Sequence, residues 1–286
     1  MSDFPRLHPG IPALAVLPRL MSLDAAIVER YTALYLESHD PEVGHQMRVA
    51  LRRLRALFWA YQSLLPAGLA KRWRKQLGAL AGQVANARNW EVIVSEFLRA
   101  AVPPTYPAAL VLLEILDDLT HRARAESRTA LTVPSQNDLI PGIRAAAAVL
   151  AGGQLEGTMV IGDLARARVK VASIRLGRRL KRARKGKLDD VQQVRHEIRR
   201  LRYLIEYFAP VLRGTDRERA VHLAEAQAVL RELNDVLVGA AYVSTLPKRT
   251  DCAGAHALLM QWMKKERRVR RRKAVRALRA LGHPKR

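Results

Sequence analysis

The chain has 286 residues, 49% of them hydrophobic, with 50 Lys and Arg against 26 Asp and Glu for a formal net charge of +24. That apolar content is enough to bury a core and excludes global disorder, while the charge calls for a polyanionic partner: nucleic acid, acidic membrane or phosphate polymer. A single cysteine, Cys252, excludes an internal disulfide and a multi-cysteine metal site, and suits a reducing cytoplasm.

The first apolar run, IPALAVLP at 11–18, is too short to span a membrane and is interrupted by proline. Only Arg6 supplies positive charge ahead of it, so it makes a poor leader, and residues 1–20 read as an N-terminal extension of a soluble, cytoplasmic protein. Beyond it, apolar residues recur at three and four spacing between breaks rich in glycine and proline, which predicts helices throughout. Four fit the first half, at 22–38, 41–65, 68–100 and 107–130. HDPE supplies Asp40 as an N-cap, Pro41 at the first helical position and Glu42 in the first turn. VPPTYP at 102–107 separates the third helix from the fourth. Residues 132–158, with TVPSQNDLIPG, a short alanine-rich helix and AGGQLEGT, read as a linker. The second half repeats the plan at 160–185, 190–212, 215–245 and 253–281, and TDRE predicts a capping box between Thr215 and Glu218.

HQMRVALRRLR at 45–55 returns as QQVRHEIRRLR at 192–202, an offset of 147 residues. Asn89 of ARNWEV and Asp235 of LNDVLV correspond at an offset of 146. Two motifs agreeing within one residue predict an internal duplication, and an offset this large implies two whole bundles. The expected fold is all-α: two four-helix bundles side by side, at 21–131 and 159–282.

On an ideal helix His45, Arg48, Arg52 and Arg55 fall within an arc of about 80°, opposite Met47, Leu51, Leu54 and Phe58. Gln192, Arg195, Arg199 and Arg202 form the matching stripe, opposite Val194, Ile198, Leu201 and Ile205. Arg53 and His196 lie off the stripes. Like charges at i and i+4 cost about 0.2–0.5 kcal/mol per pair on an isolated helix, and no acid lies within either stripe to offset them. A phosphate-bearing anion is the simplest compensation, because arginine binds phosphate through two parallel hydrogen bonds and stays charged near neutral pH. His45 would add a donor that strengthens as pH falls. Two further basic runs, RLGRRLKRARKGK at 175–187 and KKERRVRRRK at 264–273, flank the second motif helix.

The pattern H-x-x-R-x-x-x-R/K-R-L-R, given once in HQMRVALRRLRALF and again, altered, in RHEIRRLRYLIEYF with LRELNDVLV, resembles the CHAD family, the conserved histidine α-helical domain, from about residue 20 to 281. The resemblance implies helical bundles around a basic groove or pore, binding of inorganic polyphosphate, association with polyphosphate granules, and no enzymatic activity. It implies His45, Arg48, Arg52 and Arg55, with Arg195, Arg199 and Arg202, as phosphate contacts, and Tyr203 as the aromatic after the second motif. Gln192 stands where the family places its second histidine, keeping a hydrogen bond but losing a cation. RNWE departs from the family's R-D-x-D, with Asn89 and Glu91 where the family has aspartates that orient neighbouring arginines, so a weaker ordering of those arginines and retained binding are expected. The E-x-E-x-K signature of the triphosphate tunnel domain fused to some members is absent.

The alternative partner is nucleic acid. Against it, aromatic residues make up only 5% of the chain, and no stacking platform or base-reading module is recognisable. An enzyme of phosphate transfer would call for a P-loop or a metal-ligating carboxylate pair, and the sequence supplies neither; HEIRR is not H-E-x-x-H. No cofactor or metal is expected. The tryptophans, Tyr207 and Phe208 read as packing residues, and His222 and His256 as isolated histidines.

Overall fold

The computed structural model describes residues 7–38, 40–133, 138–153 and 159–282. Every regular element among them is helical, and their one β feature is an isolated bridge between Pro12 and Val160. Helix α1 spans Ala13–Glu37, starting well before the expected residue 22 and taking Pro18 into its interior. Burial of Val16, Leu17, Leu20 and Met21 to 5% exposure or less outweighs the single backbone bond that Pro18 forfeits. Residues 1–6 of the extension read from sequence lie outside the described residues, while its residues 13–20 thus contribute to the core. Their start is tied to a later segment, with Ala13 N–H donating to Met159 O and Ile161 N–H to Ile11 O.

Helix α2, Pro41–Ala60, opens as its sequence demands: Asp40 Oδ1 accepts from the Glu42 N–H at 2.8 Å, with Pro41 in the first position. It ends at Ala60, short of residue 65, with Tyr61 N–H closing onto Leu57 O and the N–H groups of Leu64 and Leu65 turning back to Tyr61 O. The expected helix at 68–100 is divided into α3, Leu69–Gln83, and α4, Ala85–Val92. At the break the Ser127 hydroxyl lies 2.7 Å from both Gln83 O and Ala123 O, with one proton to share between the two carbonyls. A π-helical turn, Ile93–Leu98, and a last α turn, Arg99–Ala101, complete α4.

Then come α5, Pro107–Thr132, α6, Leu139–Gly152, and α7, Ile161–Ala183. Helix α8 is Leu188–Phe208, closed by a 3-10 turn at Ala209–Val211, before α9, Gly214–Val243, and α10, Ala253–Gly282. The expected capping box at the start of α9 does not form. Arg213 takes the N-cap position without a side-chain cap bond, so Thr215 already lies inside the first turn.

Met47, Leu51, Leu54 and Phe58 are fully buried, as are Val194, Ile198 and Leu201, so both motif helices present the expected apolar face to the core. That core gathers α1, α2, α3, α6, α7 and α8 with the beginning of α9 and the end of α10. A second core joins α4, the π turn and α5 to later α9 and early α10. Each core therefore draws on both halves of the chain. Helix α2 packs against α1, α3 and α8, while α8 packs against α7, α9 and α2, which brings the motif helices together.

Candidate functional site

With their apolar faces committed to one core, α2 and α8 carry their arginine rows to a shared seam. Burial pushes the Arg48 guanidinium down to about 10, helped by Arg52, Arg195 and Arg88 and opposed by Asp235 of α9. Arg199 is pushed down to about 9 by burial first, then by Arg52, Arg195 and Arg55. Burial also lowers Arg195, with Asp235 opposing and Arg52 adding to the shift, and it lowers Arg55, which feels Arg200 and Arg52. All four stay cationic at neutral pH. Among the described residues no carboxylate comes within ion-pair distance of Arg48, Arg52, Arg55, Arg195 or Arg199.

One end of this seam opens into a cleft of about 340 Å³, where Arg52 and Arg55 of α2 meet Arg199, Arg200 and His196 of α8, with Arg74 of α3 on the wall. Its floor includes Trp59, only 2% exposed, and the buried Tyr203. Three guanidiniums lie around the Trp59 ring: Arg200 at 5.1 Å, Arg175 at 5.4 Å and Arg168 at 5.7 Å from its centroid. A buried indole offers its negative faces to cations while its edge stays in the core. Arg168 is further held by the Ser63 hydroxyl.

The other end holds His45. Burial lowers its pKa below 6.5, and Arg52, Arg88 and Arg48 act in the same direction against Glu42 alone, so the free protein keeps the ring neutral at neutral pH. Glu91 binds Arg124 at 2.6 and 2.8 Å and lies 3.5 Å from Arg88. Asn89 donates to the Tyr242 hydroxyl at 3.1 Å. Within the altered RNWE element Glu91 thus holds Arg124 and approaches Arg88, whereas Asn89 is engaged with a tyrosine and holds no arginine by this bond.

Of the residues singled out from sequence, His45, Arg48, Arg52, Arg55, Arg195 and Arg199 share this electrostatic neighbourhood. Gln192 sits half-buried ahead of Arg195 on α8. Arg202 is placed differently: its Nε lies 2.8 Å from Glu206, its guanidinium sits over Tyr203, and it does not line the cleft. Arg53 joins Asp24 and Glu206, at 3.3 and 3.6 Å. His196, off the stripe in the helical projection, lines the cleft, and its Nδ1 is 2.9 Å from Arg199 Nη2. Partial desolvation and the guanidiniums of Arg199, Arg195, Arg200 and Arg55 hold it down to about 4. Arg74 carries no sequence signal, Arg175 stands out only as part of the basic run at 175–187 and Trp59 only as a packing residue, because their meeting needs α3 and α7 to approach α2.

A family model described as the CHAD domain matches residues 21–244. The chain belongs to the CHAD domain family. The crystal structure of the CHAD domain from the plant Ricinus communis has the same fold, with a TM-score of 0.84 at 23% identity, covering 98% of this chain and 94% of that one. PptA from Streptomyces chartreusis is similar at a TM-score of 0.71 and 20% identity, covering 94% of this chain and 99% of that chain. At such identities the likeness is one of fold. Among curated proteins none matches this sequence. No described helix is long and apolar enough to cross a membrane.

Proposed function

We propose that this CHAD protein binds inorganic polyphosphate along the α2/α8 seam without acting on it chemically. The observation that carries this reading is the gathering of Arg48, Arg52, Arg55, Arg195 and Arg199, partly desolvated and without an ion-pairing carboxylate among the described residues. A set of permanent cations held this closely is compensated best by an anion that repeats along a line. A polyphosphate chain places a charge on each unit, and guanidiniums meet phosphate oxygens in forked pairs. The same cations hold an anion but do not serve as bases near neutral pH, which supports holding rather than cleavage. Association with cytoplasmic polyphosphate granules would follow from that binding.

The test is displacement of a fluorescent polyanion by long-chain polyphosphate at moderate salt. Efficient displacement is expected, with about 100-fold or greater loss in the Arg52→Gln/Arg199→Gln double variant, since each charged hydrogen-bonding contact is worth about 1.5–3 kcal/mol. Failure of polyphosphate to displace the probe would remove the proposal. Displacement as strong or stronger by RNA or DNA would favour nucleic acid instead.

A further inference from the structure

A second basic groove, of about 660 Å³, lies between α7 and α10. Arg184 and Lys185, from the turn after α7, form one side, and Arg267, Arg268, Arg271 and Arg272 of α10 are prominent on the other. The groove continues along both helices past Lys181 and Arg279. These α10 residues lie beyond residue 244, where the match to the family model ends.

The groove is distinct from the α2/α8 seam. Arg168 and Arg175 of α7 share the flank that meets Trp59, whereas Lys181 and Arg184 project roughly 180° around the same helix. Its walls are also fixed in place. Arg271 Nε donates to Gly186 O at 2.9 Å, clamping the turn against α10. Gly186 has φ +68°, and a Cβ there would meet Val275 at 3.1 Å, so the close approach requires glycine. Arg270, by contrast, is used internally: it pairs with Glu266 at 2.9 Å, donates to Glu232 O and stacks near Phe97 and Trp262. Among the described residues no carboxylate lies within ion-pair distance of Arg184, Arg267, Arg268 or Arg272.

We infer that the α7/α10 groove is a second, independent site for a linear phosphate chain, making the protein bivalent for polyphosphate. This rests on the proposed function of the α2/α8 seam. Cations on two facing walls suit an occupant one phosphate wide. The lining of arginine, lysine, Gly186 and Val275 offers no aromatic ring to stack on a base. A long chain that engages both sites gains from the high effective concentration of its second segment.

Calorimetric titration with a short polyphosphate, no longer than the roughly 22 Å from Lys264 to Arg279 along α10, tests the inference. Wild-type protein should bind two equivalents. The Arg267→Gln/Arg268→Gln/Arg272→Gln variant, whose changes are all at exposed positions, should bind one with the remaining affinity within about twofold, and Arg52→Gln/Arg199→Gln should also bind one. For long chains, the triple variant should lose tenfold or more in affinity, in keeping with the gains of linked binding. A melting temperature that is not lowered shows that the triple variant is folded. One equivalent in the wild type, abolished by the seam variant, overturns the second site and leaves the proposed function intact. No polyphosphate binding at all overturns the proposed function as well. Two equivalents retained by the triple variant, with loss of duplex RNA or DNA binding, would make the groove a nucleic-acid surface.

Discussion

Arg200 and Arg202 stand two positions apart on α8 and have different surroundings. Arg200 is 2.6 Å from Glu197 and lies over Trp59 in the cleft, while Arg202 is 2.8 Å from Glu206 and turned onto Tyr203. Arg202→Gln should therefore leave polyphosphate affinity within about twofold, because its half-buried guanidinium is already compensated by Glu206. Arg199→Gln should weaken it by about tenfold or more. Equal losses in a displacement titration would place Arg202 in the site after all. The Arg202 pairing was legible, since Glu206 follows it by one helical turn, but a projection of the arginines alone ignores the acid. The Trp59 cluster was not legible, because it needs the approach of α7. His45 gives a prediction with a defined sign. Its pKa is lowered in the free protein and bound phosphate raises it, so binding takes up a proton and affinity should climb as pH falls from the bound-state value towards the lower free-state one. His45→Gln should flatten this part of the profile, leaving His196 to act nearer its value of about 4. An unchanged profile in the variant would show that His45 is not the titrating group.

At the level of helices, Asp24 ties α1 to both motif helices. It is 2% exposed, lies 3.3 Å from Arg53 of α2 and accepts from the Tyr207 hydroxyl of α8. Burial raises its pKa, with Arg53 and Tyr207 opposing, so the carboxylate is held there at a desolvation cost. Asp24→Ala should lower stability by about 3 kcal/mol, as when one member of a buried pair is removed, whereas Asp24→Asn keeps an acceptor and should cost less. Urea unfolding checks the order, and a reversal would mean that charge outweighs hydrogen bonding here. Helix identity was largely readable from periodicity, and the α2 cap from HDPE. The early start of α1 was hidden because Pro18 reads locally as a breaker, while the burial that overrides it is tertiary. The break between α3 and α4 lies where Gln83 O meets Ser127, 44 residues away, a contact that no local pattern announces. The same limit applies to the cores: periodicity identifies which face is buried, but not that both halves contribute to each core.

Across the whole molecule, a formal charge of +24 acts on the free protein and on its complexes with opposite sign. Cations gathered at the α2/α8 seam and along α10 repel one another in the folded state more than in an expanded chain, so the unliganded fold carries an electrostatic penalty. Salt screens this repulsion and should raise the melting temperature of the free protein between roughly 50 and 500 mM NaCl, a range over which the screening length falls severalfold. The same salt should weaken polyphosphate binding, with a log-log slope near −5 if about seven phosphates are neutralised as on a single strand. Bound polyphosphate at about 100 times its Kd should stabilise the fold by about 2.7 kcal/mol, an effect that shrinks as salt rises. Thermal melts with and without polyphosphate across a salt series measure both trends together. Convergence of the two curves at high salt is the expected result, because screening then relieves the repulsion that the ligand otherwise neutralises. A free-protein melting temperature indifferent to salt, alongside strongly salt-dependent binding, would show that the cations are already compensated within the fold and that ligand binding relieves no stored repulsion.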